Sequence, residues 1–194
     1  MKKSLHCLSN KYYTHPRSGL RNFRLLTERL PSSLQQSSSN IEQWHLGELI
    51  NEPLSDRLRF TLFHIPMLQN LYFTHGYQEG LSIEKEFGDY LSTVVSLPSR
   101  IYHFSDASFL YIEHKSDSTS NSQEMAETIQ EWINRFDSKV MTDKTVNIGM
   151  VEYPFLPRAY TAINDRELID ILLMATNTAC KMSTKESNCH WVHY

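Results

Sequence analysis

The chain has 194 residues, is 40% hydrophobic and 21% charged, and carries a formal net charge of −3. That length holds one domain with a real core but not two ordinary ones, and the apolar share excludes wholesale disorder. Near-neutral charge argues against a basic nucleic-acid-binding surface, and no stretch approaches the roughly 18 apolar residues of a membrane-spanning helix.

The first residues, MKKSLHCLSNKYY, are basic but lack the apolar segment of a signal peptide. His15-Pro16-Arg17-Ser18-Gly19-Leu20 reads as a turn into a helix on which Leu20, Phe23, Leu26 and Leu30 recur at helical spacing. Pro31 and the serine-rich run after it are expected to fray or end that helix, leaving 31–56 as a variable insertion in which Ile41 to Ile50 reads either as a short helix or as part of a surface insertion. Leu58 to Ile65 predicts the first strand, with Leu58, Phe60 and Leu62 on one face and Phe63 and Ile65 on the other. Pro66 ends it, and a short helix through Leu68 and Leu71 follows. Ile83, Phe87, Tyr90, Leu91, Val94 and Val95 mark an amphipathic helix that Pro98 stops. Glu84, Lys85 and Glu86 read as its solvated face.

Ile101 to Phe104 and Ser108 to His114 predict a hairpin, although its link, Ser105-Asp106-Ala107, lacks the usual glycine. Lys115 to Gln123 is a polar loop. Met125, Ile129, Trp132, Ile133 and Phe136 form a second helical stripe, read as core. Thr145 to Tyr153 predicts a strand. Asp165 can cap a last helix carrying Leu168, Ile169, Leu172, Ala175 and Ala179, and His190 to Tyr194 reads as a closing strand. The order after the leading helix, β-αα-ββ-α-β-α-β, predicts an α+β class of ferredoxin-like, palm-type architecture: a central, mainly antiparallel sheet flanked by helices. Cys7, Cys180 and Cys189 form no CxxC pair and read as reduced thiols of a cytoplasmic protein, with Cys180 filling a small apolar role inside the last helix.

From His15 to Tyr194 the chain resembles the GGDEF family, the diguanylate cyclase domains of bacteria. Residues 15–22 are similar to the family's opening turn, DPLTGLPNR, with Pro16, Gly19, Leu20 and Asn22 in agreement. The run from His64 to Phe73 stands where the family has DxDxFKxxND, and Gly76 and Gly80 keep the spacing of the following GHxxGD. The signature hairpin corresponds to Ser105-Asp106-Ala107-Ser108-Phe109, of which the final Phe alone survives. Asn147-Ile148-Gly149-Met150 is similar to the family's SIGV strand, and Ser187 to His190 to its GRNR-like ending. The resemblance implies a domain over 15–194 after a 14-residue tail and a nucleotidyl cyclase fold.

The family's reaction joins two GTP molecules with the help of divalent metal ions, which need hard oxygen ligands. The resemblance places those ligands at His64, Pro66 and Ala107, and Ser108 replaces the hairpin's second acid. Pro66 and Ala107 offer no ligand atom, and His64 suits Mg²⁺ poorly. The hairpin glycines are replaced by Ser105 and Asp106, and Asp106 would repel a triphosphate. The phosphate-binding lysines map to Gln69 and Ser183, the guanine-reading Asn and Asp to Tyr72 and Leu81, and the RxxD inhibitory site to Ser96 and Ser99. Shifting the register by two residues brings Asn70 and Glu79 to the guanine positions, but forfeits the match of Gly76 and Gly80 and supplies no metal carboxylate. The four retained glycines, Gly19, Gly76, Gly80 and Gly149, fall where the family needs turns and packing.

No catalytic set, cofactor, metal or inhibitory site is therefore expected. His64 with Asp106 is the one softer-metal pairing considered, and a hydrogen-bonded, half-buried His64 is the preferred reading. His190 and His193, three apart on a strand, point to opposite faces. The expectation is an inactive regulatory or protein-interaction module in cyclic di-GMP-related signalling, without a sensor of its own. An EAL phosphodiesterase domain, an active cyclase or a sensor is the expected partner, with a homodimer as the other assembly and Tyr72, Phe73, Tyr77 and Leu81 as the cleft surface. The alternatives are a nucleotide (GTP)-binding allosteric domain without catalysis, and a divergent nucleotidyl cyclase drawing on Glu79, Asp106 and Glu113.

Overall fold

Two apolar faces on one strand oblige it to be covered on both sides, and this is the position of Leu58–His64. A computed structural model describes residues 12–95, 100–115, 122–136, 144–153, 165–183 and 190–191. In chain order the elements are β1 (Arg21–Asn22), α1 (Phe23–His45), a 3₁₀ turn (Leu54–Asp56), β2 (Leu58–His64), α2 (Pro66–Gln69), α3 (Leu71–His75), α4 (Tyr77–Val94), β3 (Ile101–Ser105), β4 (Ser108–His114), α5 (Ser122–Asn134), β5 (Asn147–Tyr153), α6 (Asp165–Ser183) and β6 (His190–Trp191). Among the described residues the strands form one sheet of order β1-β3-β4-β2-β5-β6. The four central strands are antiparallel neighbours, and the two-residue edge strands pair in parallel. The expected α+β architecture is present, with β1 as an addition: two residues are too few to leave a pattern in the sequence.

One layer packs Phe63, Ile65, Phe109, Tyr111, Ile148 and Met150 of the sheet against Phe87 and Leu91 of α4 and Ile129, Trp132 and Ile133 of α5. The other packs Leu58, Phe60, Leu62, Leu110, Ile112 and Tyr153 against Leu26, Leu30 and Leu34 of α1 and Leu172 and Leu173 of α6. No helix among the described residues is long and apolar enough to cross a membrane.

The leading helix does not end at Pro31. It runs on to His45, capped by Asn22, whose side chain accepts from the Leu25 amide at 3.0 Å. A proline inside a helix costs about 3 kcal/mol. Leu34 and Ile41 continue the buried stripe past it, and burying each stabilises by about 2 kcal/mol. Packing outweighs propensity, so residues 31–45 are helix rather than insertion. The single short helix expected after β2 is split in two, and α5 begins at Ser122, within the stretch read as loop. The expectations for Pro98, His193, Cys7, Cys189 and Ser187 to Cys189 lie outside the described residues.

Candidate functional site

The turn of residues 15–20 closes on itself: the His15 amide donates to Leu20 O at 2.7 Å and the Gly19 amide to His15 O at 2.9 Å. β1 then pairs with β3, setting Arg21 beside Tyr102 and Asn22 beside His103. The turn also presses on α4 at Gly88, where a Cβ would lie 2.2 Å from Ser18 O. Gly80 plays the same part beneath Tyr72, whose ring would be 2.8 Å from an added Cβ. These two close approaches bring the turn, α3, α4 and the β3–β4 hairpin around one cavity of about 310 Å³. Arg17, Leu68, Gln69, Tyr72, Glu84 and Asp106 are among its lining residues.

The hairpin turn is Asp106-Ala107 rather than the three-residue link expected, because Ser105 still pairs with Ser108, and Ala107 stands at φ 57° in the left-handed region that glycine would adopt more easily. Ala107 is buried and its carbonyl accepts from the Ile65 amide at 2.9 Å. His64 ends β2 half-buried, and its Nδ1 lies 2.9 Å from Ser108 Oγ. Pro66 is the first residue of α2, where the missing N–H costs nothing. Phe109 is fully buried against Phe87. The donor set at the family's metal positions is therefore one engaged imidazole, a proline and a buried methyl, which does not fit a magnesium site. His64 and Asp106 are each engaged elsewhere rather than facing a shared ion. Ser96 and Ser99 lie outside the described residues. Ser183 is the last residue of α6.

Arg17 dominates the cavity. Its Nη2 donates to Asp106 Oδ1 at 2.7 Å, its Nε lies 3.5 Å from Glu84 Oε1, and its guanidinium sits 5.6 Å from the Tyr72 ring centre. The guanidinium hydrogen bond holds the Asp106 carboxyl below the usual carboxylate range. Tyr72 Oη donates to Glu84 Oε2 at 2.5 Å. Burial, then that hydrogen bond to Glu84, push the Tyr72 hydroxyl up to about 12. Behind Glu84, His15 and His103 stack with ring centres 3.5 Å apart. His103 Nδ1 lies 2.9 Å from Ser18 Oγ and 3.7 Å from Glu84 Oε1. Burial first, then the neighbouring His15 and Arg17, bring His103 down to about 3. Burial and Arg17 lower His15 as well.

Four sequence readings are corrected here. Glu84 does not belong to a solvated face; it is 3% exposed, since it shares the buried side of α4 with Gly80, Ile83, Phe87 and Gly88. Tyr77 and Leu81 do not line the cavity: Tyr77 is exposed at the rim, its ring tilted against Tyr72, and Leu81 is half-buried. Phe73 does line it, yet is 90% exposed, so the surface is a rim rather than a pocket floor. Glu79, Asp106 and Glu113 do not converge, because Glu79 is exposed on the first turn of α4 and Glu113 lies at the other end of β4, 3.4 Å from Arg59. Arg17, Glu84 and His103 were missed. An i, i+3, i+4, i+7 count starting at Gly80 puts Glu84 on the apolar face, which was the readable signal.

No protein-family model matches the sequence, and no curated protein matches it. Solved structures do. The coiled coil and GGDEF domain of DgcB from Caulobacter crescentus, in complex with c-di-GMP, matches at TM-score 0.67 and 13% identity, over 98% of this chain and 90% of that one. Diguanylate cyclase SiaD from Pseudomonas aeruginosa, in complex with its activator SiaC, matches at 0.60 and 14%, over 99% and 66%. The S helix-GGDEF-EAL structure of Vibrio cholerae LapD matches at 0.62 and 16%, over 98% of this chain but 38% of that one. Identities this low carry the fold alone, and the fold they carry is that of a GGDEF-like domain.

Proposed function

We propose that this chain is a catalytically inactive GGDEF-like domain, acting as a regulatory or protein-interaction module in cyclic di-GMP-related signalling. The observation that carries the reading is the Arg17 network. The two acids that line the cleft, Glu84 and Asp106, both face Arg17, and the positions assigned to metal ligands hold His64, Pro66 and Ala107. Phosphoryl transfer needs oxygen ligands for metal and uncommitted cations for phosphate; the cleft's cation is committed. A cavity of 310 Å³ is also at the small end for a nucleotide.

Phe73 and Tyr77, large and exposed at the rim, are the proposed partner surface. SiaD assembles with an activator and LapD carries its GGDEF beside an EAL domain. An EAL domain, an active cyclase or a sensor is the partner proposed for this chain. The test incubates the full chain with GTP and Mg²⁺ or Mn²⁺, and titrates GTP, GDP and cyclic di-GMP by calorimetry. The expected result is no cyclic di-GMP formed and no binding tighter than millimolar. Metal-dependent product overturns inactivity, and micromolar nucleotide binding replaces the interaction role with an allosteric one.

A further inference from the structure

Behind the cleft lies a group of side chains that the reading above does not use. His15 from the N-terminal turn, Glu84 from α4 and His103 from β3 each offer one donor atom, and these atoms lie within 4.8 Å of one another. We propose that they form a site for a borderline divalent transition-metal ion of the Zn²⁺ class.

Three observations carry this. First, His15 Nδ1 and His103 Nε2 are buried without a hydrogen-bond partner of good geometry. Buried polar nitrogens are nearly always satisfied, and one orphan costs about 1–3 kcal/mol. Two orphans on stacked rings are a shared defect that one cation removes. Second, charge is available. Arg17 makes its short bond to Asp106, while its Nε lies 3.5 Å from Glu84 Oε1, long for a charge-assisted bond. Two carboxylates, Glu84 and Asp106, face the single guanidinium of Arg17, a balance that suits an added cation. Third, supporting contacts and an approach exist. Tyr72 Oη donates to the second Glu84 oxygen, and Glu84 also lines the cavity. Two imidazoles and one carboxylate select Zn²⁺-type ions over Mg²⁺ or Ca²⁺. The two rings lie within 17° of parallel, and a lone pair lies in its ring's plane, so loading requires one ring to tilt; His15, on the turn, is the less buried.

This inference stands independently of the signalling role. The full chain, stripped with chelator, is titrated with Zn²⁺ by calorimetry and with Co²⁺ by visible absorption. His15→Ala and Glu84→Gln run alongside, their fold checked by circular dichroism. The expected result is one ion per chain, no competition from excess Mg²⁺, and affinity at least tenfold weaker in each variant. No binding, or binding unchanged in both variants, overturns the site. Should a variant fail to fold, imidazole ¹⁵N shifts of the wild type decide: movement confined to His15 and His103 supports the site, and shifts elsewhere or none refute it.

Discussion

The two ends of one sheet face each bury a glutamate beside an arginine, and they do so differently. Away from the hairpin, Glu113, Arg59 and Glu152 stand directly opposite one another on β4, β2 and β5. Arg59 Nη2 lies 2.8 Å from Glu152 and Nη1 3.4 Å from Glu113, with Lys115 3.6 Å from the other Glu152 oxygen. Register alone builds this row. At the hairpin end, Glu84, Arg17, His15 and His103 come from a helix, a turn and a strand, and Glu84 and Arg17 border a cavity. The first cluster fastens strands together. The second is held by close approaches that leave space beside it.

The comparison is sharpest in the two arginines. Arg59→Ala is expected to cost about 3–5 kcal/mol, because it strips the cation from buried Glu113. For a chain of this size that lowers the thermal midpoint by roughly 6–20 °C. The double variant Arg59→Met, Glu113→Leu should recover most of the loss, since an apolar pair has no charge to strand. Recovery absent in calorimetry would mean that Glu152 and Lys115 depend on Arg59 more than Glu113 does.

Gly88→Ala comes next. Its Cβ would overlap Ser18 O, so the turn of residues 15–20 must lift from α4. Overpacking of this kind costs about 1–3 kcal/mol. The expected signature is a lower midpoint together with loss of the ring stacking between His15 and His103, read in their NMR shifts. A lower midpoint with the stack intact would show that α4 moved instead.

What the sequence made legible follows from these forces. Alternation in Leu58 to Ile65 and the stripes of α4 and α5 gave the layers, because burial is periodic and local. The length of α1 was not legible: Pro31 is a local signal, and Leu34 and Ile41 beyond it act only once the rest of the core is in place. That residues 64, 66, 107 and 108 carry no carboxylate was readable, because residue identity needs no fold to be seen. The Arg17 network was not, since residues 17, 84 and 106 meet only through the fold. Glu84 was the nearest miss, a glutamate counted as solvent-facing although it keeps helical phase with Ile83 and Phe87.

Arg17→Ala should be milder than Arg59→Ala, at about 1 kcal/mol. Arg17 is partly exposed, its contact with Glu84 is long, and Tyr72 still hydrogen-bonds the carboxylate. The expected outcome is a small loss of stability in urea unfolding with increased exposure of Tyr72, measured by fluorescence quenching. A loss equal to that of Arg59→Ala would make the two ends energetically alike and remove the distinction drawn here.

Asp106→Asn should be smallest, and its pH dependence separates charge from turn geometry. Folding depresses the Asp106 pKa, so the unfolded chain binds its proton more readily. The ion pair's contribution is therefore present above the unfolded value, near 3.8, and is lost as pH falls through the folded one. Its side chain is 78% exposed, so solvent screening limits the effect at pH 7 to a few tenths of a kcal/mol. At pH 2 the variant and the wild type should unfold alike, and added salt at pH 7 should narrow the gap. A gap that persists at pH 2 would instead assign the effect to the left-handed turn at Ala107, where the residue before it, rather than its charge, sets the backbone.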